Sequence, residues 1–360
     1  MNAENLAKIL GQRFLELGSY DLTGERFGTG SSGTAAASNS STQEDFGDFD
    51  MGIAGLAVQA VGYTKGAEHE SVVVYVTKGS QKALKSISRT MQDIDIRVSN
   101  LGKLRASPAH AMSLRGNSYF FERGSRVACG SSCAPSRENY AGTVGAFAKR
   151  GNDVFALSNN HVFAACNHTP LGMPILAPAA NDAQPHSPAP SELCVFEGMS
   201  ELRSGVPGLV PPLSLDAAYA RVLQPERISS WQGDAANGFD TPATVAEPRA
   251  GLRVKKFGRT TGLTYGTVET FVPTPWVLPY TSTKFKAHVW FQNTWTIRGD
   301  DDEPFALPGD SGSLVVSEDG KTALGLIFAV NTGGGYAIFC ELASVLANFG
   351  NMELLTNHGI

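Results

Sequence analysis

The sequence predicts a mainly β protein, an antiparallel all-β sandwich or barrel running from about Ser107 almost to the end, preceded by a small α+β unit. Three observations carry this. After Ser107, short β-like runs recur, each cut off by Gly, Pro, Asn or Asp. Between Met51 and Leu104, apolar and β-branched runs alternate with one helical pattern. Ahead of both, Asn2 to Gly18 sets Leu6, Ile9, Leu10, Phe14 and Leu17 at spacings of three and four, the period of one helical face.

Taken in order, Asn2 to Gly18 reads as an amphipathic helix, and an apolar face left exposed there would favour self-association or a regulatory partner. Gly28 to Thr42 is Gly, Ser, Thr and Ala with almost no bulky side chains, so it reads as a flexible linker. The α+β unit comprises an apolar run from Ile53 to Val61, a β-branched run from Ser71 to Thr77, a helical pattern from Gln81 to Ile87 and an alternating run from Ile94 to Val98. Strands are then expected at Gly142 to Ala148, Asp153 to Leu157, Leu193 to Glu197, Asp216 to Val222, Arg253 to Gly258 and Thr264 to Phe271. Further strands are expected at Ala287 to Ile297, Ser313 to Val316, Thr322 to Ala329 and Gly335 to Cys340. Leu342 to Phe349 returns to helical spacing.

Composition excludes several classes. The formal net charge of -5 is spread along the chain, with no basic block to hold nucleic acid. No apolar run approaches the ~20 residues that span a bilayer, so no membrane partner is expected, and no basic and apolar leader opens the chain. Five cysteines form an odd set in a chain of 360 residues and read as reduced packing thiols of a cytoplasmic protein. Cys129, Cys133, Cys166 and His168 do not have zinc-finger spacing, so neither metal nor cofactor is expected.

The sharpest motif is Pro308-Gly309-Asp310-Ser311-Gly312-Ser313. It puts a serine in a tight glycine-flanked turn, where the amides of Gly309 and Ser311 can hold a developing oxyanion. A serine needs a base, and His161 stands where a strand runs out through Ser158-Asn159-Asn160. The imidazole in turn needs a carboxylate to fix its tautomer. Asp216 heads an apolar stretch, where an unpaired charge is costly, and is preferred to Asp182, Asp234 and Asp240 in loop-like surroundings. The plainer reading of Asp216 is a turn cap before a strand.

The order His161, Asp216, Ser311 resembles that of the chymotrypsin and trypsin superfamily, and differs from the orders of α/β-hydrolases and subtilisins. The segments Ala141 to Phe147, Leu157 to Val162 and Gly258 to Val268 resemble a bacterial intracellular branch of trypsin-like peptidases, similar to the plant NARROW LEAF 1 protease. The resemblance runs over roughly residues 51–345. It implies two perpendicular antiparallel six-stranded β-barrels with the catalytic residues between them. The division that follows is 1–50 helix and linker, 51–110 α+β domain, 111–240 first barrel with His161 and Asp216, and 241–360 second barrel with Ser311 and a C-terminal helix.

The resemblance also implies a serine endopeptidase acting on protein or peptide substrates through an acyl-enzyme. The specificity pocket would have Phe305 at its base and Phe328, Ala329 and Val330 in its wall, which favours an apolar residue before the cleaved bond. Departures are visible. Val162 and Leu307 stand where secreted members carry cysteines, and Ser313 replaces a common glycine. In many members Asp310 would pair with a newly cut amino terminus, and no such terminus is evident. The other readings are a silent or latent barrel used for protein interaction and an esterase-like hydrolase. The Gly258 to Val268 segment lacks the Lys and helix of a phosphate loop and reads as a turn between two strands.

Overall fold

Six strands in the C-terminal half close on themselves. In hydrogen-bonding order they are Arg253–Gly258, Leu314–Ser317, Thr322–Asn331, Tyr336–Glu341, Thr294–Gly299 and Gly262–Val272, and the last pairs back onto the first. Every pairing in this ring is antiparallel, and closure removes the edges at which an open sheet would pair with other chains. Val254, Val268, Ile297, Val315, Leu326 and Ile338 are buried in one apolar cluster. Each such side chain contributes about 1.5–3 kcal/mol by leaving water. The structure, a computed structural model, describes residues 1–16, 58–77, 90–91, 93–106, 119–183, 188–205, 211–282, 284–301, 303–331 and 335–360.

The preceding half is an eight-stranded antiparallel sheet. Its order is Glu353–Leu354, Ala146–Arg150, Asp153–Ser158, Ala218–Val222, Ser191–Met199, Pro174–Ala177, Ser132–Pro135 and Gly142–Thr143. The strands Gly142–Thr143 and Ala146–Arg150 lie near opposite ends of this order yet are joined by Val144 and Gly145 alone. The sheet must therefore curl into a half-barrel. It encloses a second core that includes Phe147, Phe163, Ile175, Phe196 and Val222. The helix Leu342–Asn348 buries Leu342, Val345 and Leu346, and the chain then returns to add Glu353–Leu354 beside Ala148.

The helix Ala3–Glu16 forms inside the expected span, with Leu6, Leu10 and Phe14 fully buried, whereas Ile9, expected on the same face, is exposed with Lys8 and Gln12. Its apolar face is covered within the chain by the strands Val58–Tyr63 and Val72–Val76. Gly11 makes the approach close, since a Cβ there would lie 2.4 Å from Thr274 Cγ2. Val72–Val76 runs parallel to Ile94–Asn100, and this small sheet joins the barrel where Tyr63 meets Phe271. The linker reading at Gly28 to Thr42 and the helical pattern at Gln81 to Ile87 lie outside the described residues.

One strand expectation is corrected. Ala287 to Ile297 is not continuous, because Asn293 adopts φ 54 and turns the chain. Thr294–Gly299 belongs to the barrel, whereas Lys286–Phe291 pairs with Trp276–Thr281 in a separate hairpin. The first strand of that hairpin contains Pro279, a residue that demotes a run in any sequence reading.

All five cysteines are free and buried, and burial pushes Cys129, Cys166 and Cys340 up to about 12. Among the described residues no group of three or more His, Cys, Asp or Glu is placed to hold a metal ion. No helix among them is long and apolar enough to cross a membrane.

Candidate active site

Register brings the histidine to the aspartate. Asp153–Ser158 and Ala218–Val222 are neighbours with Ser158 opposite Ala218, so the residues just beyond those two ends must meet. Asn159 stays extended and its side-chain amide donates to the Asp216 carbonyl at 2.6 Å. The short helix Asn160–Phe163 then turns His161 back. Its backbone N–H donates to Asp216 Oδ1 at 3.2 Å, and its Nδ1 lies 2.5 Å from Asp216 Oδ2. Both side chains are fully buried. His161 Nε2 is also buried and has no hydrogen-bond partner among the described residues.

The serine turn is docked on the same strand ends. Gly309 and Gly312 adopt φ 101 and φ 96, which an L side chain resists. A Cβ on Gly312 would lie 2.3 Å from Ser158 Oγ and 2.4 Å from the Thr143 carbonyl. Thr143, from the first half, donates its N–H to the Ser311 carbonyl at 2.9 Å and its hydroxyl to the Gly309 carbonyl at 2.8 Å. Ser313 donates its hydroxyl to the Asp310 carbonyl at 2.6 Å, so the serine at this position helps close the turn. Ser311 itself is 6% exposed.

Asp310 has its partners inside the chain. Oδ1 accepts from the amides of Thr260 at 2.7 Å and Thr261 at 3.2 Å, and Oδ2 accepts from the Thr261 hydroxyl at 2.8 Å and the Leu307 amide at 2.9 Å. The counter-charge is Lys256, whose Nζ lies 3.6 Å from Oδ2, both side chains being fully buried. Nζ also donates to Thr261 Oγ1 and, at 3.0 Å, to the Gly262 carbonyl. Desolvation holds the Lys256 ammonium below its ordinary pKa, opposed by the charge of Asp310.

The segment read from sequence as a plain turn thus braces the Ser311 turn. Gly258 sits opposite Gly262 across it, and a Cβ on Gly258 would lie 2.5 Å from both Asp310 Oδ1 and Ser313 Oγ. Arg259 reaches across to the first half, pairing through Nε with Asp182 Oδ2 at 2.6 Å and through Nη2 with Oδ1. Both members are nearly inaccessible, and such a two-point pair fixes orientation as well as distance. Asp182, set aside in the sequence reading as a loop residue, therefore ties the two halves together.

Phe305 is buried beneath the Thr264 hydroxyl, which donates to its carbonyl at 2.7 Å, and would meet a Cβ on Gly266 at 2.8 Å. Phe328 is buried against Phe291, with ring centroids 4.8 Å apart, and Ala329 and Val330 are buried in the same strand. A cavity of about 430 Å³ lies beside this loop, lined by Thr261, Tyr265, Asp300, Glu303 and Pro304 among others, but by none of the four expected pocket residues. No role was assigned from sequence to Lys256, Arg259, Thr260 or Thr261. Lys256 falls on the inward side of an alternating strand with Val254, which was the one readable signal.

No family model and no curated protein matches the chain. Among solved structures, it is similar to a glutamic acid-specific serine protease, with TM-score 0.44 and 18% identity, covering 64% of this chain and 100% of that one. It is similar to protease A of Thermobifida fusca, with TM-score 0.43 and 16% identity, covering 64% and 100%. It is also similar to a chymotrypsin of Cellulomonas bogoriensis, with TM-score 0.42 and 17% identity, covering 64% and 98%.

Proposed function

We propose that the chain is a serine endopeptidase in which Ser311 is the nucleophile, His161 the general base and acid, and Asp216 the residue that orients His161. The observation that carries this is the buried Asp216–His161 pair at 2.5 Å, whose second ring nitrogen is left without a hydrogen-bond partner among the described residues. His161 Nε2 takes the Ser311 hydroxyl proton as Oγ bonds to the scissile carbonyl carbon, and the amides of Gly309 and Ser311 receive the oxyanion. The C–N bond then breaks, the proton passes from Nε2 to the leaving amine, and water repeats the sequence to release the acid and restore Ser311. Lys256 supports competence without a newly cut amino terminus, because it already neutralises Asp310. An apolar residue before the cleaved bond is carried over from the sequence expectation alone, since none of Phe305, Phe328, Ala329 and Val330 lines the described cavity. The buried thiols are compatible with a cytoplasmic setting.

A fluorophosphonate probe is expected to label Ser311, located by peptide mass spectrometry, and to leave Ser311→Ala unlabelled. A folded wild-type sample that takes up no label counts against an active nucleophile.

One observation favours a latent form of this enzyme. Tyr336–Glu341 occupies one edge of the strand Thr322–Asn331 as far as Val330. The opposite edge carries Leu314–Val316 and then, at Val330 and Asn331, the chain's own Leu104–Arg105 running antiparallel. Gly312 donates to the Ile327 carbonyl on that edge, so only Phe328 and Ala329 separate the nucleophile turn from the inserted segment. An extended substrate adding there as a strand must displace Leu104–Arg105. Leu104→Asp, which puts a charge on a buried side chain, is expected to speed labelling by a peptidyl phosphonate on the order of 10-fold, by loosening that pairing. Labelling by the small fluorophosphonate stays unchanged. Equal rates for the peptidyl probe would discard the latent form.

A further inference from the structure

We propose that Tyr280 is a positioning residue of the triad, its hydroxyl holding Asp216 Oδ2 in place and drawing off part of the carboxylate charge that faces His161. Its kinetic consequence rests on the peptidase reading, whereas the hydrogen bond does not. Tyr280 lies on the hairpin strand Trp276–Thr281, which hangs from the second barrel and reaches the aspartate of the first half. Its hydroxyl donates to Asp216 Oδ2 at 2.7 Å, the same oxygen that lies 2.5 Å from His161 Nδ1. The Tyr280 ring also stands edge-on to the imidazole, with centroids 5.8 Å apart and planes at 78°.

The placement is braced from behind. Phe291 stacks on Tyr280 with centroids 5.9 Å apart, and Phe328 packs on Phe291 in turn. Burial, then the charge of Asp216, pushes the phenol well above its ordinary pKa, so it remains a donor at any working pH. Cys166 and Cys340, the thiols near Asp216, are held neutral by burial. Among the described residues, the donors to the carboxylate are thus Tyr280 and His161, the latter through both its amide and its ring.

Two donors share Oδ2, so strengthening one weakens the other. A phenol hydrogen bond draws electron density from the oxygen and loosens its hold on Nδ1–H. The Tyr280 hydroxyl acts through Asp216, whose Oδ2 it shares with His161 Nδ1. Phenylalanine preserves its ring and removes only the donor.

The test reads the His161 Nδ1 proton by NMR in the full chain, together with the rate of Ser311 labelling by fluorophosphonate. Tyr280→Phe is expected to move that resonance downfield and to slow labelling on the order of 10-fold, the scale of one hydrogen bond to a charged group. Site-specific 3-fluorotyrosine at position 280, a stronger donor of nearly the same shape, is expected to move it upfield and keeps the test open if the phenylalanine variant folds poorly. Shifts of opposite sign support the positioning role even in a protein that takes no label, which separates this inference from the peptidase reading. An unmoved resonance, or shifts of the same sign, overturns it.

Discussion

Ser311→Ala is expected to lower kcat for peptide hydrolysis by about a million-fold, with KM nearly unchanged. In the proposed mechanism the alanine removes the atom that forms the covalent bond, while the turn keeps its docking through Thr143 and Gly312. His161→Ala is expected to cost about as much, and the double variant little more, because nucleophile and base act as one unit. Asp216→Asn is expected to lose about 10⁴-fold, since an amide nitrogen facing Nδ1 at 2.5 Å favours the wrong imidazole tautomer. Steady-state kinetics on the three single variants and the double variant decide the matter. Losses that simply multiply would mean the two residues work independently, and a small loss for Ser311→Ala would put the chemistry elsewhere.

The second large effect falls on stability. Lys256→Met keeps most of the side-chain volume and removes the charge, leaving Asp310 fully buried with hydrogen bonds but no cation. Breaking a buried pair from one side costs about 3–5 kcal/mol, because the remaining charge stays desolvated. Urea unfolding is expected to show a loss on that scale. Lys256→Arg is not expected to rescue it, since the wider guanidinium fork must fit where Nζ already meets Thr261 Oγ1, the Gly262 carbonyl and Asp310. The double variant Lys256→Met with Asp310→Asn is expected to recover part of the loss, a coupling that a double-mutant cycle measures directly. A Lys256→Met protein as stable as the wild type would show that the amides alone hold Asp310. The same variant is expected to label more slowly at Ser311, because Asp310 anchors the turn through Leu307, Thr260 and Thr261.

Several parts of this arrangement were legible because they are local. Helical spacing marked Ala3–Glu16, and β-branched runs between turn residues marked most barrel strands to within a few positions. The preference for Asp216 came from the cost of an unpaired buried charge, and it lies fully buried against His161. The hairpin of Trp276–Thr281 and Lys286–Phe291 escaped because Pro279 weakened one strand and the polar turn at Gln292 and Asn293 was read through as part of one strand from Ala287 to Ile297. Asp182 escaped for a different reason. Its partner is Arg259, 77 positions away, and no local pattern of residue types reports a pair formed across two halves of a fold.

What the sequence determined by itself, then, was the β architecture, the glycine-flanked serine turn and the order of His161, Asp216 and Ser311, since each depends on short-range periodicity, turn chemistry or residue type. Only the tertiary structure decided what surrounds them. Lys256 beside Asp310, Tyr280 beside Asp216, Arg259 clasping Asp182 and Leu104–Arg105 lying along Val330 and Asn331 all join segments distant in the chain. Their partners are chosen by which buried charges and unpaired strand edges the closed fold leaves facing one another, and an unpaired group in such an interior is too costly to leave alone.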